Sequence, residues 1–397
     1  MCQIVNNRIV VFLPSLQQGG VVRTLLEAFD VIDVDRYDIT VYVYSTCNAW
    51  GKYLPEQVKL IVDTDKSHYH RLPRGLYYHF RIFAAKLFNK KNKVSFFEKK
   101  LHDFVHSEKA KYPARKYFTD GVDIAISYNV ALSAEMAANI RANRRYLFFH
   151  SCDPYFHRDI TKRCFDKFDN IIAVGTNVRD ILIEAFPEYR ERIALIRNYL
   201  DGDKIQKLAN EYYPSEFSDY TTKIIIASVI RVDKEKGADL IVKAATLLKA
   251  TGASFIWFIV GDGYCKEEIV SQISKANLSD NIIITGFKDN PYPYIKHCDI
   301  FVHPTYEESF GLSILEALIL SKAVVSTNTV GAKEVLENGK YGLLVSPDPE
   351  SVFSGIIKVV NDPELKYKFE NGFIKEREKE LEIYRDKWDA LLNGKIL

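Results

Sequence analysis

No apolar run in this chain approaches the ~18 consecutive residues that a membrane-spanning helix requires. The opening MCQIVNNRIVVFLP has neither a basic n-region nor a cleavage site, so neither a secretory leader nor an integral membrane segment is expected. Net charge is almost absent at +2, and whole-chain electrostatics makes no case for a nucleic-acid partner. The six cysteines (Cys2, Cys47, Cys152, Cys164, Cys265 and Cys298) contain no C-x-x-C pair. That excludes a zinc ribbon and a disulfide framework, and predicts reduced thiols in a cytoplasmic protein. Short repeats and low-complexity tracts are also missing. What remains is ordinary for a soluble globular chain: 397 residues, 47% hydrophobic and 27% charged, enough for two or three domains with buried cores.

Short apolar runs bounded by turn residues recur, with helical stretches between them. Arg8–Leu13, Ile39–Tyr44, Val58–Val62, Val122–Ser127, Tyr146–His150 and Ile171–Val174 read as one series of strands. Lys223–Val229, Phe255–Val260, Ile282–Thr285, Ile300–His303, Ala323–Ser326 and Gly342–Val345 read as a second. Runs apolar on both faces suit parallel strands covered by helices, so two doubly wound α/β domains are predicted. The polar stretch from Asn198 to Thr222 separates the series. The expected division is residues 1–200, a linker over 201–222, a domain over 223–375, and a C-terminal helix over 376–397 packing back toward the first domain.

One segment breaks the pattern. Residues 66–118 hold fourteen Lys and Arg against three acidic residues, a net +11, so the remainder of the chain carries −9. Twelve aromatics are interleaved, among them Tyr77, Tyr78, Phe80, Phe83 and Phe88. Cations beside aromatic rings suit an anionic membrane surface; the alternative is a solvated insertion whose rings pack on its own domain.

The densest cluster of chemistry-bearing residues is EESFGLSILEAL, Glu307–Leu318. Glu308 precedes a predicted helix from Leu312 to Ser321 and Glu316 lies on it, so two carboxylates can address different hydroxyls of one elongated ligand. Gly311 allows close backbone approach, and a helix start favours an anion. In SVIRVDKEKGADL, Arg231 follows a strand and Lys236-Gly237 precedes a helix, an arrangement suited to a diphosphate. Gly19-Gly20 after the first strand provides a strand-to-helix turn, and His150 ends the strand YLFFH. Neither Gly19-Gly20 nor Gly261-Asp262-Gly263 completes a dinucleotide fingerprint. Asp201-Gly202-Asp203 and Asp63-Thr64-Asp65 have the spacing of a D-x-D metal motif but read as solvated turns.

Together these motifs resemble a retaining glycosyltransferase of family 4. The resemblance runs almost continuously from Lys223 to Val345 and touches the first domain only at Gly19-Gly20 and around His150. It implies the GT-B fold: two Rossmann-like doubly wound α/β domains facing each other across a cleft. It also implies that Arg231 and Lys236 hold a donor diphosphate, that Glu308 meets the transferring sugar, and that Glu316 meets the ribose hydroxyls. Phe310, Gly311 and Leu312 would complete the pocket, with Gly19 and Gly20 facing the same phosphates. His150 would lie near the donor sugar and acceptor. Ser309 stands where the family often has Gly, and Ala323 where it often has Pro, both small replacements.

The function implied is transfer of a sugar, with retention, from a nucleotide-diphosphate sugar, UDP ahead of GDP. The acceptor would be a lipid-linked or polysaccharide chain in cell-surface glycan synthesis. No cofactor or metal is expected, since Arg231, Lys236 and helix amides can stabilise the departing anion. Residues 66–118 would place the protein peripherally on the inner face of the cytoplasmic membrane. The alternatives are a sugar-nucleotide epimerase, a transferase acting on a soluble acceptor, or a catalytically silent partner subunit.

Overall fold

The structure, a computed structural model, describes residues 7–17, 19–63, 107–154, 164–220, 222–373 and 379–395. The runs apolar on both faces become parallel strands. β1 (Asn7–Leu13), β2 (Tyr37–Val43), β3 (Lys59–Val62), β4 (Val122–Ser127), β5 (Ala142–Phe149), β6 (Asn170–Ala173) and β7 (Ile193–Leu195) form one sheet in the order β3-β2-β1-β4-β5-β6-β7. β8 (Ile224–Val229), β9 (Phe255–Val260), β10 (Ile282–Gly286), β11 (Ile300–His303), β12 (Val324–Thr327) and β13 (Leu343–Val345) form a second in the order β10-β9-β8-β11-β12-β13. Neighbouring strands pair parallel throughout both sheets. In each sheet the order reverses beside the first strand, between β1 and β4 and again between β8 and β11. Such a reversal leaves a crevice at the carboxyl ends of the two strands, where doubly wound sheets bind ligands.

The chain divides into two units. The first comprises Met1–Val174, Arg179–Ile196 and Arg385–Leu397; the second comprises Gly175–Val178 and Arg197–Tyr384. The second unit's sheet is covered on both faces. Phe258, Val260, Phe301 and Leu318 lie in one buried cluster and Trp257, Ile259, Val302 and Ile241 in the other. Every residue of β9, FIWFIV, is buried, as a central parallel strand requires.

Three expectations need correction. The stretch 201–222 is no free linker: it carries a helix, Gly202–Ala209, and a 3-10 turn, Ser215–Tyr220, and buries Ile205, Ala209 and Phe217 in the second unit's core. Its polar face hid an apolar stripe. Asp201 caps that helix by accepting from the Lys204 N–H (3.0 Å), and Asp63 is buried with the Tyr42 hydroxyl donating to it at 2.5 Å, so neither aspartate is a solvated turn. The first sheet gains β7, whose three residues are too short a run to stand out in the sequence.

The helix Glu380–Leu392 contributes to the first unit through its later residues. Trp388 stacks on Phe148 at 5.0 Å and 15°, and the Tyr146 hydroxyl donates to the Leu391 carbonyl (2.7 Å). Of the basic aromatic segment, residues 66–106 lie outside the described residues. Residues 107–116 are helical, and beyond them Tyr117 and Phe118 pack on Tyr42 at 5.8 and 6.3 Å. Among the described residues, no helix is long and apolar enough to cross a membrane.

Candidate functional site in the second unit

β8 and β11 flank the strand-order reversal of the second sheet, and the chain leaving each carries the residues singled out above. After β8 come Arg231, Asp233 and the turn Lys234–Lys236; after β11 come Thr305, Glu307 and Glu308. The two loops are stitched together. The Glu235 carbonyl accepts from the Tyr306 N–H (2.9 Å) and from the Thr305 hydroxyl (2.9 Å). Gly237, at φ 69°, seats this turn so close that a Cβ would lie 1.6 Å from the Pro304 carbonyl oxygen. Only glycine satisfies both the backbone angle and the space.

That stitching brings Lys236 onto Glu308. Its ammonium lies 2.9 Å from Glu308 Oε2 and donates to the Glu307 carbonyl at 3.2 Å. Both side chains are mostly buried, at 21% and 19% exposure, so the pair is poorly screened. His303, the last residue of β11 and 2% exposed, places Nε2 3.4 Å from the same Oε2 but without hydrogen-bonding alignment. Burial alone would push the Glu308 carboxyl up; His303 and Lys236 outweigh it and hold the carboxyl well below the usual carboxylate range. The aligned ammonium is the firmer of these two neighbours.

Arg231 reaches outward, 66% exposed, with Nε 3.3 Å from the buried Asp233 carboxylate. That loop is backed by Gly261 and Gly263, where a Cβ would meet the Ile230 carbonyl oxygen at 1.9 Å and the Val232 carbonyl oxygen at 2.5 Å. Val260–Gly263 thus serves as a backbone support for Arg231. Beyond Glu308, Phe310 is buried and Gly311 adopts φ 93°, starting the helix Leu312–Ile319. The helix ends two residues before the expected Ser321, which takes φ 57°. Glu316 is buried on it, with the Tyr292 hydroxyl 3.3 Å from Oε1.

The structure therefore groups Arg231, Lys236, Glu308, Phe310, Gly311, Leu312 and Glu316 in one unit, while Gly19, Gly20 and His150 belong to the other. Gly19 precedes the helix Gly20–Val31 in extended backbone, and a Cβ there would meet nothing within 4 Å, so no steric demand explains it. His150 follows β5 and packs its ring 5.0 Å from Tyr128; its Nε2 is buried without a partner among the described residues, and burial pushes its pKa down to about 3.

Two residues escaped the sequence reading. His303 closes the run IFVH as His150 closes YLFFH, and that position was its only signal. Gly331 donates its N–H to the Glu308 carbonyl (2.8 Å), a contact between residues 23 apart that no local motif announces. Among the described residues, no group of three or more His, Cys, Asp and Glu side chains is placed to hold a metal ion.

Comparisons with known proteins bear on this arrangement. Residues 211–376 match the family model "Glycosyl transferases group 1". An uncharacterized glycosyltransferase of Methanocaldococcus jannaschii is 24% identical over 265 residues, covering 58% of this chain and 65% of that protein. The N-acetylgalactosamine-N,N'-diacetylbacillosaminyl-diphospho-undecaprenol 4-alpha-N-acetylgalactosaminyltransferase of Campylobacter jejuni is 30% identical over 210 residues, covering 52% of this chain and 55% of that one. The matches thus span less than two thirds of either relative. The crystal structure of Anabaena Alr3699/HepE in complex with UDP and glucose superposes with a TM-score of 0.69 at 16% identity, covering 98% of this chain and 99% of that one. Residues 211–376 are thus similar to the glycosyl transferases group 1 family, and the chain's two parallel-sheet α/β units have the GT-B fold.

Proposed function

We propose that this protein is a retaining, metal-independent glycosyltransferase that moves a sugar from a nucleotide-diphosphate sugar, UDP preferred, to a lipid-linked or polysaccharide acceptor. The observation that carries this reading is the convergence of Arg231, Lys236 and Glu308 at the strand-order reversal between β8 and β11. Breaking the anomeric C–O bond leaves positive charge on the sugar and negative charge on the departing nucleoside diphosphate. Lys236 and Arg231 stabilise the departing anion, and the ionised Glu308 stabilises the sugar's developing charge. The acceptor hydroxyl adds on the face the diphosphate leaves, its proton passing to the departing phosphate, so retention needs no protein nucleophile.

The UDP preference draws support from the Anabaena complex with UDP and glucose, and the lipid-linked acceptor from the Campylobacter relative named for a diphospho-undecaprenol substrate. The basic aromatic residues 66–118 supply the proposed contact with an anionic membrane surface. Donor hydrolysis tests the activity: purified protein given UDP-sugars and GDP-sugars in turn releases nucleoside diphosphate from one of them, and Glu308→Gln does not. Release from none, or wild-type release by Glu308→Gln, overturns the reading. Flotation with anionic liposomes tests the surface; indifference to lipid charge and to salt removes it.

A further inference from the structure

In the site as it stands, the cation assigned to a diphosphate is already engaged. Lys236 Nζ lies 2.9 Å from Glu308 Oε2, so an anion that recruits Lys236 must draw it away from a mostly buried carboxylate. Left unpaired, that carboxylate would carry the full cost of desolvation. One neighbour is placed to take over. His303 Nε2 is buried, has no hydrogen-bond partner among the described residues, and lies 3.4 Å from the same oxygen. On the other side of the ring, Nδ1 is 3.2 Å from the Ser313 hydroxyl, on the helix Leu312–Ile319. A hydroxyl donating to Nδ1 selects the tautomer whose proton is on Nε2, the nitrogen that faces Glu308.

We propose that His303 is a positioning residue: when an anionic ligand draws Lys236 away, the His303 Nε2–H, set by Ser313, hydrogen-bonds the Glu308 carboxylate and holds it in place. The proposal deepens the glycosyltransferase reading by giving Glu308 a second partner, while its main test does not depend on turnover. Lys236 and His303 converge on one oxygen of Glu308, and the second oxygen, Oε1, accepts from the Ser309 N–H at 3.2 Å. Loss of the ammonium therefore leaves the carboxylate tethered at Oε1, with the imidazole N–H its nearest replacement at Oε2.

The test is nitrogen-15 and proton NMR of the full chain labelled at histidine, with the His303 signal assigned by its loss in His303→Gln. In the free protein the Nε2 proton is present but weakly bonded. Saturating inorganic pyrophosphate, and separately Lys236→Met without ligand, each move it downfield. Ser313→Ala diminishes that shift. A His303 proton on Nδ1 alone, or no downfield movement under either condition, overturns the proposal, and should Lys236→Met fail to fold, the pyrophosphate arm decides. In donor hydrolysis, His303→Leu lowers kcat roughly tenfold while Kd for UDP stays about the same, and His303→Gln, which keeps an N–H donor, recovers most of it. Equal loss in both variants, or loss of UDP binding with kcat unchanged, also overturns it. A wild-type chain that hydrolyses no nucleotide sugar yet shows the proton shift counts against the glycosyltransferase reading alone.

Discussion

Gly331 lies so close beneath Phe310 that a Cβ on it would sit 2.5 Å from the Phe310 nitrogen and 2.6 Å from its carbonyl carbon. With the Gly331 N–H bonded to the Glu308 carbonyl, the turn carrying the proposed sugar-binding carboxylate rests on backbone rather than on side chains. Gly331→Ala must push that turn away. We expect a loss of ~1–3 kcal/mol in stability together with a fall in donor hydrolysis. Thermal denaturation and hydrolysis of the same preparation check it; a variant normal in both would show that the turn yields without consequence.

Glu308 is held ionised by its surroundings, with a carboxyl pKa below that of the unfolded chain. Its contribution to stability is therefore fully present above the unfolded carboxylate pKa of ~4.3 and is lost as pH falls through the lower folded value. Glu308 accordingly adds no acidic limb to the rate between about pH 5 and 8. Glu308→Gln should reduce donor hydrolysis by roughly a hundredfold or more at every pH in that window. A variant whose deficit disappears toward pH 5 would contradict an ionised Glu308.

Arg231 projects into solvent, and its ion pair among the described residues is with Asp233. Its removal costs the fold little, whereas a charge-assisted contact to phosphate is worth roughly a factor of ten or more in affinity. Arg231→Ala should raise the Kd for UDP about tenfold at unchanged melting temperature, and calorimetric titration beside a thermal scan separates the two. A weakened fold with unchanged UDP affinity would assign Arg231 to structure.

His150 behaves in the opposite sense to a paired histidine. Burial pushes its pKa down to about 3, below the unfolded value of ~6.5, so the unfolded chain binds the extra proton between those limits. Its contribution to stability is complete above ~6.5 and declines as pH falls toward 3. We expect the His150 signal in a histidine NMR titration to stay neutral down to pH 5, and His150→Gln to flatten the acid side of the stability profile. Titration of His150 near pH 6.5 would refute this.

Much of the architecture was legible because its signals are local. Runs such as FIWFIV are apolar on both faces, and a parallel strand covered by helices needs that pattern. The cluster in the second unit was legible for a related reason: Arg231, Lys236 and Glu308 all follow strand ends, where doubly wound sheets bring side chains together. The missed parts depend on contacts between distant residues. Nothing near Phe217 or Ile205 marks them as core, because the surface that buries them comes from other segments of the second unit. Gly331 beneath Phe310, and His303 turned toward Glu308 rather than into the core, likewise follow from how β11, β12 and their loops converge.

The division into units gives the boundary an unusual form. The chain passes between units four times, after Val174, Val178, Ile196 and Tyr384. A single cut near residue 200 would part Phe148 from Trp388, and the first sheet from the helix that covers it. Recombination with a related gene must therefore exchange Arg197–Tyr384 as an insert with two distant junctions, leaving Gly175–Val178 behind and returning residues 385–395 to the parent of the first sheet. A chimera joined at one crossover inherits mismatched surfaces at Trp388, so the halves can diversify separately only if the last helix evolves with the first of them.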